Sequence, residues 1–135
     1  MRIVVVGAGK VGYYLVKTLI DRGHHVSLVD RDPARCQRTA EQTGILTVCG
    51  DGTDPGALGD AGADAADVVA AATGEDEVNL VICQVAKKRF GVRHVVARVN
   101  NPKNRETLAL LGVDTAISGT ALIADAIEEG ITCEG

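Results

Sequence analysis

The chain has 135 residues, a formal net charge of −4 and a hydrophobic content of 46%. That length suits one domain with a real core and is too short for the two-domain layout common in dehydrogenases. The acidic balance, with only Tyr13, Tyr14 and Phe90 to stack on bases, argues against nucleic acid as a partner, and no stretch approaches the ~20 apolar residues of a membrane span.

The first strand, Ile3–Val6, begins almost at Met1, which leaves no room for a signal peptide and implies a cytoplasmic chain. It breaks directly into Gly7-Ala8-Gly9-Lys10-Val11-Gly12, and a helix follows to about Arg22, closed by Gly23. A second strand, Val26–Val29, ends at Asp30, eighteen positions past Gly12. Glycines at this spacing are weak evidence alone. Between a strand and a helix, inside a βαβ-length unit with an acid ending the second strand, they form the dinucleotide-binding fingerprint. Gly7 permits the tight turn, Gly9 lets backbone approach a pyrophosphate, and Gly12 lets the helix lie close on the strand. The helix N-terminus adds free N–H groups and partial positive charge.

Asp32-Pro33 starts a second helix that Gly44 ends, followed by a third strand over Ile45–Cys49. Gly50-Asp51-Gly52-Thr53-Asp54-Pro55 is a loop into a short helical stretch. Val68–Ala72 is a fourth strand, and Thr73-Gly74-Glu75-Asp76-Glu77 leads into a helix of about three turns ending near Phe90. His94–Val99 is a fifth strand, Asn101-Pro102 starts a helix ended by Gly112, and Thr115–Ile117 is a short sixth strand. A final helix runs from about Thr120 to Glu129. Six strands alternating with helices predict an α/β chain: a doubly wound Rossmann fold with a parallel sheet in the order 3-2-1-4-5-6, forming a single domain over 1–135.

In that fold the ligand lies at the carboxyl ends of the strands, so each segment after a strand takes a place. Gly7–Gly12 is expected to hold the pyrophosphate, with Lys10 either reaching a phosphate oxygen or solvated. Asp30, at an exposed strand end, is expected to accept from the adenosine ribose hydroxyls, favouring NAD over NADP. Arg31 beside it suits either a 2′-phosphate or stacking on adenine. Asp51-Gly52-Thr53 either borders the adenine or is a simple turn. Ala72, Thr73, Gly74 and Asp76 are expected at the other half of the nucleotide, with Asp76 or Glu77 also a candidate cap for the next helix. Arg98, a charge in an apolar strand, points to a phosphate or carboxylate across the crevice, or sits at an edge in water.

Other features read as ordinary structure. Cys36, Cys49, Cys83 and Cys133 lack CxxC spacing and a histidine at a metal-ligand interval, and Cys49 and Cys83 read as small core residues. Lys87-Lys88-Arg89 suits a solvated helix C-terminus.

Taken together, GAGKVG, the VDRD segment ending the second strand, GDGTD, AATGEDEVNL and ARVNNP resemble the RCK/KTN group, regulators of potassium conductance and Trk-type uptake. The resemblance covers essentially the whole chain. It implies a cytosolic Rossmann domain that binds NAD(H), or in some branches ATP and ADP. It further implies homodimers and higher rings at the inner face of the membrane, under a potassium channel or transporter subunit, with no insertion of their own. Gly7, Gly9, Gly12, Asp30, Asp51, Thr53, Thr73 and Arg98 match the group's nucleotide-contacting positions, and Lys10 stands where many members carry Arg. Leu122, Ile123, Ala126 and Ile127 resemble the segment that packs on a partner subunit. Many members continue into a second small lobe; this chain ends at Gly135 without one, either as a single-lobe member or as a piece from which that lobe was removed.

The rival class is a small NAD-dependent oxidoreductase, or a cofactor domain detached from one. Tyr13 and Lys17 have the Tyr-x-x-x-Lys spacing of the short-chain dehydrogenase pair, but on the helix following the phosphate loop, where they serve packing or solvent. No other arrangement offers a general acid or base with a substrate pocket, so the sequence reads as a non-enzymatic, ligand-gated regulatory module.

Overall fold

Strands and helices alternate without exception along the computed structural model, which describes residues 1–133; the last two positions of the expected 1–135 domain lie outside the described residues. The elements are β1 (Arg2–Val6), α1 (Lys10–Asp21), β2 (His25–Asp30), α2 (Pro33–Thr43), β3 (Leu46–Cys49) and α3 (Pro55–Asp60). They continue with β4 (Val68–Ala71), α4 (Asp76–Phe90), β5 (His94–Val99), α5 (Arg105–Leu110), β6 (Thr115–Ser118) and α6 (Gly119–Thr132). All strand pairs are parallel, in the expected order 3-2-1-4-5-6.

The helix starts follow from local chemistry. Asp32 accepts from the Ala34 amide at 2.9 Å and Asp54 from the Gly56 amide at 3.0 Å, each with a proline at the first helical position. Ser118 caps α6 by accepting from the Ala121 amide at 3.2 Å. Three details depart from expectation. The Asn101-Pro102 helix begins as a 3₁₀ turn, Pro102–Asn104, before α5. α4 runs to 15 residues, about four turns, and α6 extends from Gly119 to Thr132.

β1 lies at the centre, with Ile3 in register with both Val26 and Val68. Its alternate side chains divide the core. Val4 and Val6 pack with Leu58, Val69, Ile82 and Val95 on the α3–α4 side, while Ile3 and Val5 pack with Val16, Val26 and Leu28 under α1. Each fully buried Val or Leu contributes about 1.5–3 kcal/mol, so this sheet is held from both faces.

β5 is an interior strand, in register with β4 on one side and β6 on the other; Arg98 pairs with Ile117. That position excludes the edge reading of Arg98. α6 leaves the end of β6, and none of its residues is buried.

Candidate functional site

The carboxyl ends of β1, β2, β3, β4 and β5 open on one crevice of about 480 Å³. Its floor is the glycine loop. Gly7 has φ +103°, a left-handed conformation that favours glycine, and its amide donates to Val29 O at 2.9 Å. A Cβ on Gly12 would lie 1.7 Å from Gly7 O, so only hydrogen lets α1 descend onto the loop. Gly9 faces open space, the nearest atom to a Cβ there being Arg35 Nη1 at 3.9 Å. No side chain caps α1 at Gly9, which leaves first-turn amides and the positive end of the helix dipole facing the loop.

Asp30 belongs to this loop as much as to β2. It is only 6% exposed, which corrects the expectation of an exposed strand end. Its Oδ2 accepts from the Ala8 amide at 2.5 Å and its Oδ1 from the Asp32 amide at 2.8 Å. Each oxygen keeps a second acceptor position, on a residue that lines the crevice. Arg35 Nη1 stands 4.0 Å from Asp30 Oδ2, and Arg35 Nε 3.8 Å from Asp32 Oδ2.

Around the β3 end, Arg31, Gly50, Asp51 and Gly52 line the crevice. Thr53 turns inward on Asp51: its amide donates to Asp51 Oδ1 at 2.9 Å and its hydroxyl at 2.8 Å. The amide bond first, then the hydroxyl bond, holds Asp51 below the usual carboxylate range. Gly52 is a close-packing position, since a Cβ there would meet Val6 Cγ1 at 2.4 Å.

The other half of the crevice is lined by Ala72, Thr73, Gly74, Glu75 and Arg98. It is organised by Asn79, which is fully buried on α4. Asn79 Oδ1 accepts from the Thr73 amide at 3.1 Å and hydroxyl at 2.6 Å, while Nδ2 donates to Thr73 O at 3.1 Å and Arg98 O at 2.8 Å. All of its hydrogen-bonding capacity is spent tying the β4 end to the β5 end. No carboxylate of the described residues lies within 4 Å of the Arg98 guanidinium, which is half-buried at the crevice.

Asp76 requires a correction. It does not line the crevice, and the residue preceding α4 is Glu75. The Asp76 carboxylate is 6% exposed and accepts from the Asn100 amide (2.6 Å), the Asn101 amide (2.9 Å), Asn100 Nδ2 (3.0 Å) and Asn104 Nδ2 (2.8 Å). Burial alone would raise its pKa, but these donors outweigh burial and hold it below the ordinary value. The residue shapes the loop after β5.

Five other expected positions lie beside the crevice rather than on it, one of them Thr53, which is turned onto Asp51. Ala8 is fully buried, joined to Asp30 through its amide and to Arg38 Nη2 through its carbonyl at 3.2 Å. Gly12 is buried under the loop, Val11 is 46% exposed, and Lys10 lines a second groove between α1 and α2. That groove also holds Tyr13, Tyr14, Lys17, Arg35 and Arg38, and meets the crevice at Gly9 and Arg35. The Tyr13 ring is stacked by Arg38 at 4.5 Å, with the Lys17 ammonium at 5.7 Å, so both Tyr13 and Lys17 face away from the crevice. Arg35 and Arg38 escaped the sequence reading, although their i, i+3 spacing just after the Asp32 cap put them on one face of α2.

Cys83 is buried as expected, and burial pushes its thiol up to about 12. Cys49 is exposed rather than core, and Cys36 is buried in its place. Lys87, in the last turn of α4, pairs with Asp114 at 2.7 Å, while Lys88 and Arg89 are exposed.

A family model described as the TrkA-N domain matches residues 3–119. The chain is 37% identical over 132 residues to a Trk system potassium uptake protein TrkA homolog of Methanothermobacter thermautotrophicus, covering 98% of this chain and 61% of that one. It is 38% identical over 133 residues to the Trk system potassium uptake protein TrkA of Mycobacterium tuberculosis, covering 98% and 60%. The chain thus spans about three fifths of the length of these relatives.

Solved structures share the fold. The TrkA-N domain of the Escherichia coli inner membrane protein ybaL superposes with a TM-score of 0.87 at 17% identity, over 95% of this chain and 94% of that one. The Shewanella denitrificans Kef CTD, in its AMP-bound form, gives 0.82 at 23%, over 98% and 79%. The GsuK channel bound to NAD gives 0.75 at 24%, over 86% and 21%.

Proposed function

The chain belongs to the TrkA-N domain family, and from that premise we propose that it is the nucleotide-binding regulatory unit of a potassium transport system. The observation that carries this reading is the joint geometry of Asp30 and the glycine loop. A buried carboxylate fixes the loop through Ala8 and keeps acceptor capacity at the crevice, beside an uncapped helix N-terminus. A ligand with a ribose and a pyrophosphate satisfies both features at once.

NAD(H) is the first ligand on this reading, supported by a fold neighbour described with NAD; ADP and ATP share the same adenosine and pyrophosphate. Gly7, Gly9 and the start of α1 would face the pyrophosphate, and Asp30 the ribose. Arg31 and Asp51 would flank the base, with Thr73, Gly74 and Arg98 toward the distal half. The oxidoreductase reading stands second: among the carboxylates lining the crevice, Asp30 is occupied with the Ala8 and Asp32 amides and Asp51 with Thr53. No helix among the described residues is long and apolar enough to cross a membrane. On this reading the unit acts on a membrane potassium channel or transporter subunit.

The finer reading is a homodimer, built into larger rings at the inner face of the membrane, with α6 as the contact between copies. Leu122, Ile123, Ile127 and Ile131 are each more than half exposed on that helix. Nucleotide gates the partner only if two dimer arrangements bind it with different affinity. A tenfold difference is about 1.4 kcal/mol, enough to shift a balanced gate.

The test is calorimetric titration with NAD, NADH, NADPH, ATP and ADP, alongside turnover assays with small alcohols and hydroxy acids. Binding of NAD(H) or of ATP and ADP without turnover is expected. Hydride transfer from any of those substrates to NAD, read as NADH formation, would reverse the reading in favour of an enzyme.

A further inference from the structure

We propose that Cys36 and Cys49 are a redox-active dithiol beside the nucleotide crevice, closed by hydroperoxides to a disulfide that weakens ligand binding. The binding effect rests on the function proposed above; the thiol chemistry does not.

Three elements bring the sulfurs together. Asp30 and Cys49 are register partners at the ends of β2 and β3. Cys36, in the first turn of α2, points its Sγ down onto that pair, 3.2 Å from Asp30 O and 3.9 Å from Val48 O. Cys49 Sγ lies 3.8 Å from Arg31 O, the carbonyl next along the chain from the Asp30 carbonyl that the Cys36 thiol meets, so the two sulfurs sit over adjacent peptide groups. One sulfur is buried and the other exposed, an arrangement that suits an attacking thiol and a resolving one.

Burial, then the contact with Cys49, pushes the Cys36 thiol up to about 11, so it keeps its proton at neutral pH. The exposed Cys49, as thiolate, attacks the peroxide O–O bond and becomes a sulfenic acid, while the other oxygen leaves as hydroxide, or alkoxide from an organic peroxide. Cys36 then attacks the Cys49 sulfur. The S–S bond forms, the S–O bond breaks, and the Cys36 proton leaves with the hydroxyl as water.

The consequence for the crevice is geometric. A disulfide holds its sulfurs about 2.05 Å apart, well inside thiol contact distance, so closure draws the start of α2 toward the end of β3. Those two segments carry Arg35 on one side and Gly50-Asp51 on the other, and Asp30 O loses its thiol donor.

The experiment treats the full chain, carrying Cys133→Ser to remove the exposed thiol at the end of α6, with hydrogen peroxide. We expect an intact mass lower by about 2 Da, a Cys36–Cys49 cross-linked peptide, and reversal by dithiothreitol. NAD or ADP affinity falls roughly tenfold in the oxidised form and returns on reduction. Cys36→Ser, which keeps a donor for Asp30 O, leaves a Cys49 sulfenic acid trapped by dimedone and no tenfold loss. Absence of the cross-link, or a bond to Cys83 instead, overturns the dithiol. A cross-link with affinity unchanged within about twofold overturns the coupling. If the reduced chain binds no nucleotide, the function proposed above fails, and the mass measurement still decides the dithiol. In that case, unaltered hydrogen exchange at residues 30–32 and 50–52 after oxidation overturns the coupling.

Discussion

The Ala8 amide donates to Asp30 Oδ2 across 2.5 Å, so one carboxylate both locks the glycine loop and faces the crevice. Replacing Asp30 therefore has two effects that differ between substitutions. Asp30→Ala leaves the buried Ala8 amide without its acceptor and is expected to cost about 1–3 kcal/mol in urea unfolding. Asp30→Asn retains one acceptor oxygen and is expected to cost less. Both should weaken nucleotide binding at least about tenfold by calorimetry. Equal stability loss in the two variants would show that Ala8 does not need the side chain.

The glycines of the loop divide by task. Gly12→Ala places a methyl 1.7 Å from Gly7 O and is expected to cost more than about 3 kcal/mol, or to prevent folding. Gly9→Ala meets nothing closer than Arg35 Nη1 at 3.9 Å and is expected to cost about 1 kcal/mol while obstructing the ligand. Thermal melts and binding on the same two proteins should show opposite rankings, with Gly9→Ala folded and deficient in binding.

Acid stability should trace to Asp76. Its folded pKa is held below the ordinary carboxylate value, so its contribution is fully present above the unfolded pKa of about 3.9 and is lost as pH falls through the folded one. Asp114 adds to the same trend. Burial opposes its ionisation, but the Lys87 ammonium and the Val95 amide prevail. Urea midpoints from about pH 6 down to about pH 2 should fall steeply in the parent. Asp76→Asn sets an amide against two of the four donors, lowers stability by about 2 kcal/mol at neutral pH, and flattens that dependence.

The exposed face of α6 supplies a further expectation. Leu122→Glu with Ile127→Glu should convert a dimer into a monomer in sedimentation, with the sheet still melting cooperatively. An unchanged sedimentation coefficient would remove α6 from the proposed interface.

Much of this was legible in the chain. Alternating apolar runs and glycine stops located every strand, because a parallel sheet covered on both faces demands continuous Val, Ile and Ala. The residues misread share a physical cause. Asp76 looks like a helix cap from its neighbours, but its donors come from Asn100, Asn101 and Asn104, more than twenty residues away. Asp30 reads as an exposed strand end because nothing local announces the Ala8 bond. Cys49 sits in an apolar run, but β3 is an edge strand, and periodicity does not reveal which face an edge leaves uncovered.

The pairing of Arg98 with Ile117 sets the mechanical economy of the domain. The strand that brings a guanidinium to the crevice is laddered to the strand whose last residue, Ser118, caps α6. On the proposed function, a ligand's pull on Arg98 would reach the root of α6 through hydrogen bonds between neighbouring strands, with no intervening loop. A fourteen-residue helix rooted there would serve as a pointer arm, since a small rotation at its base becomes a larger displacement at its tip.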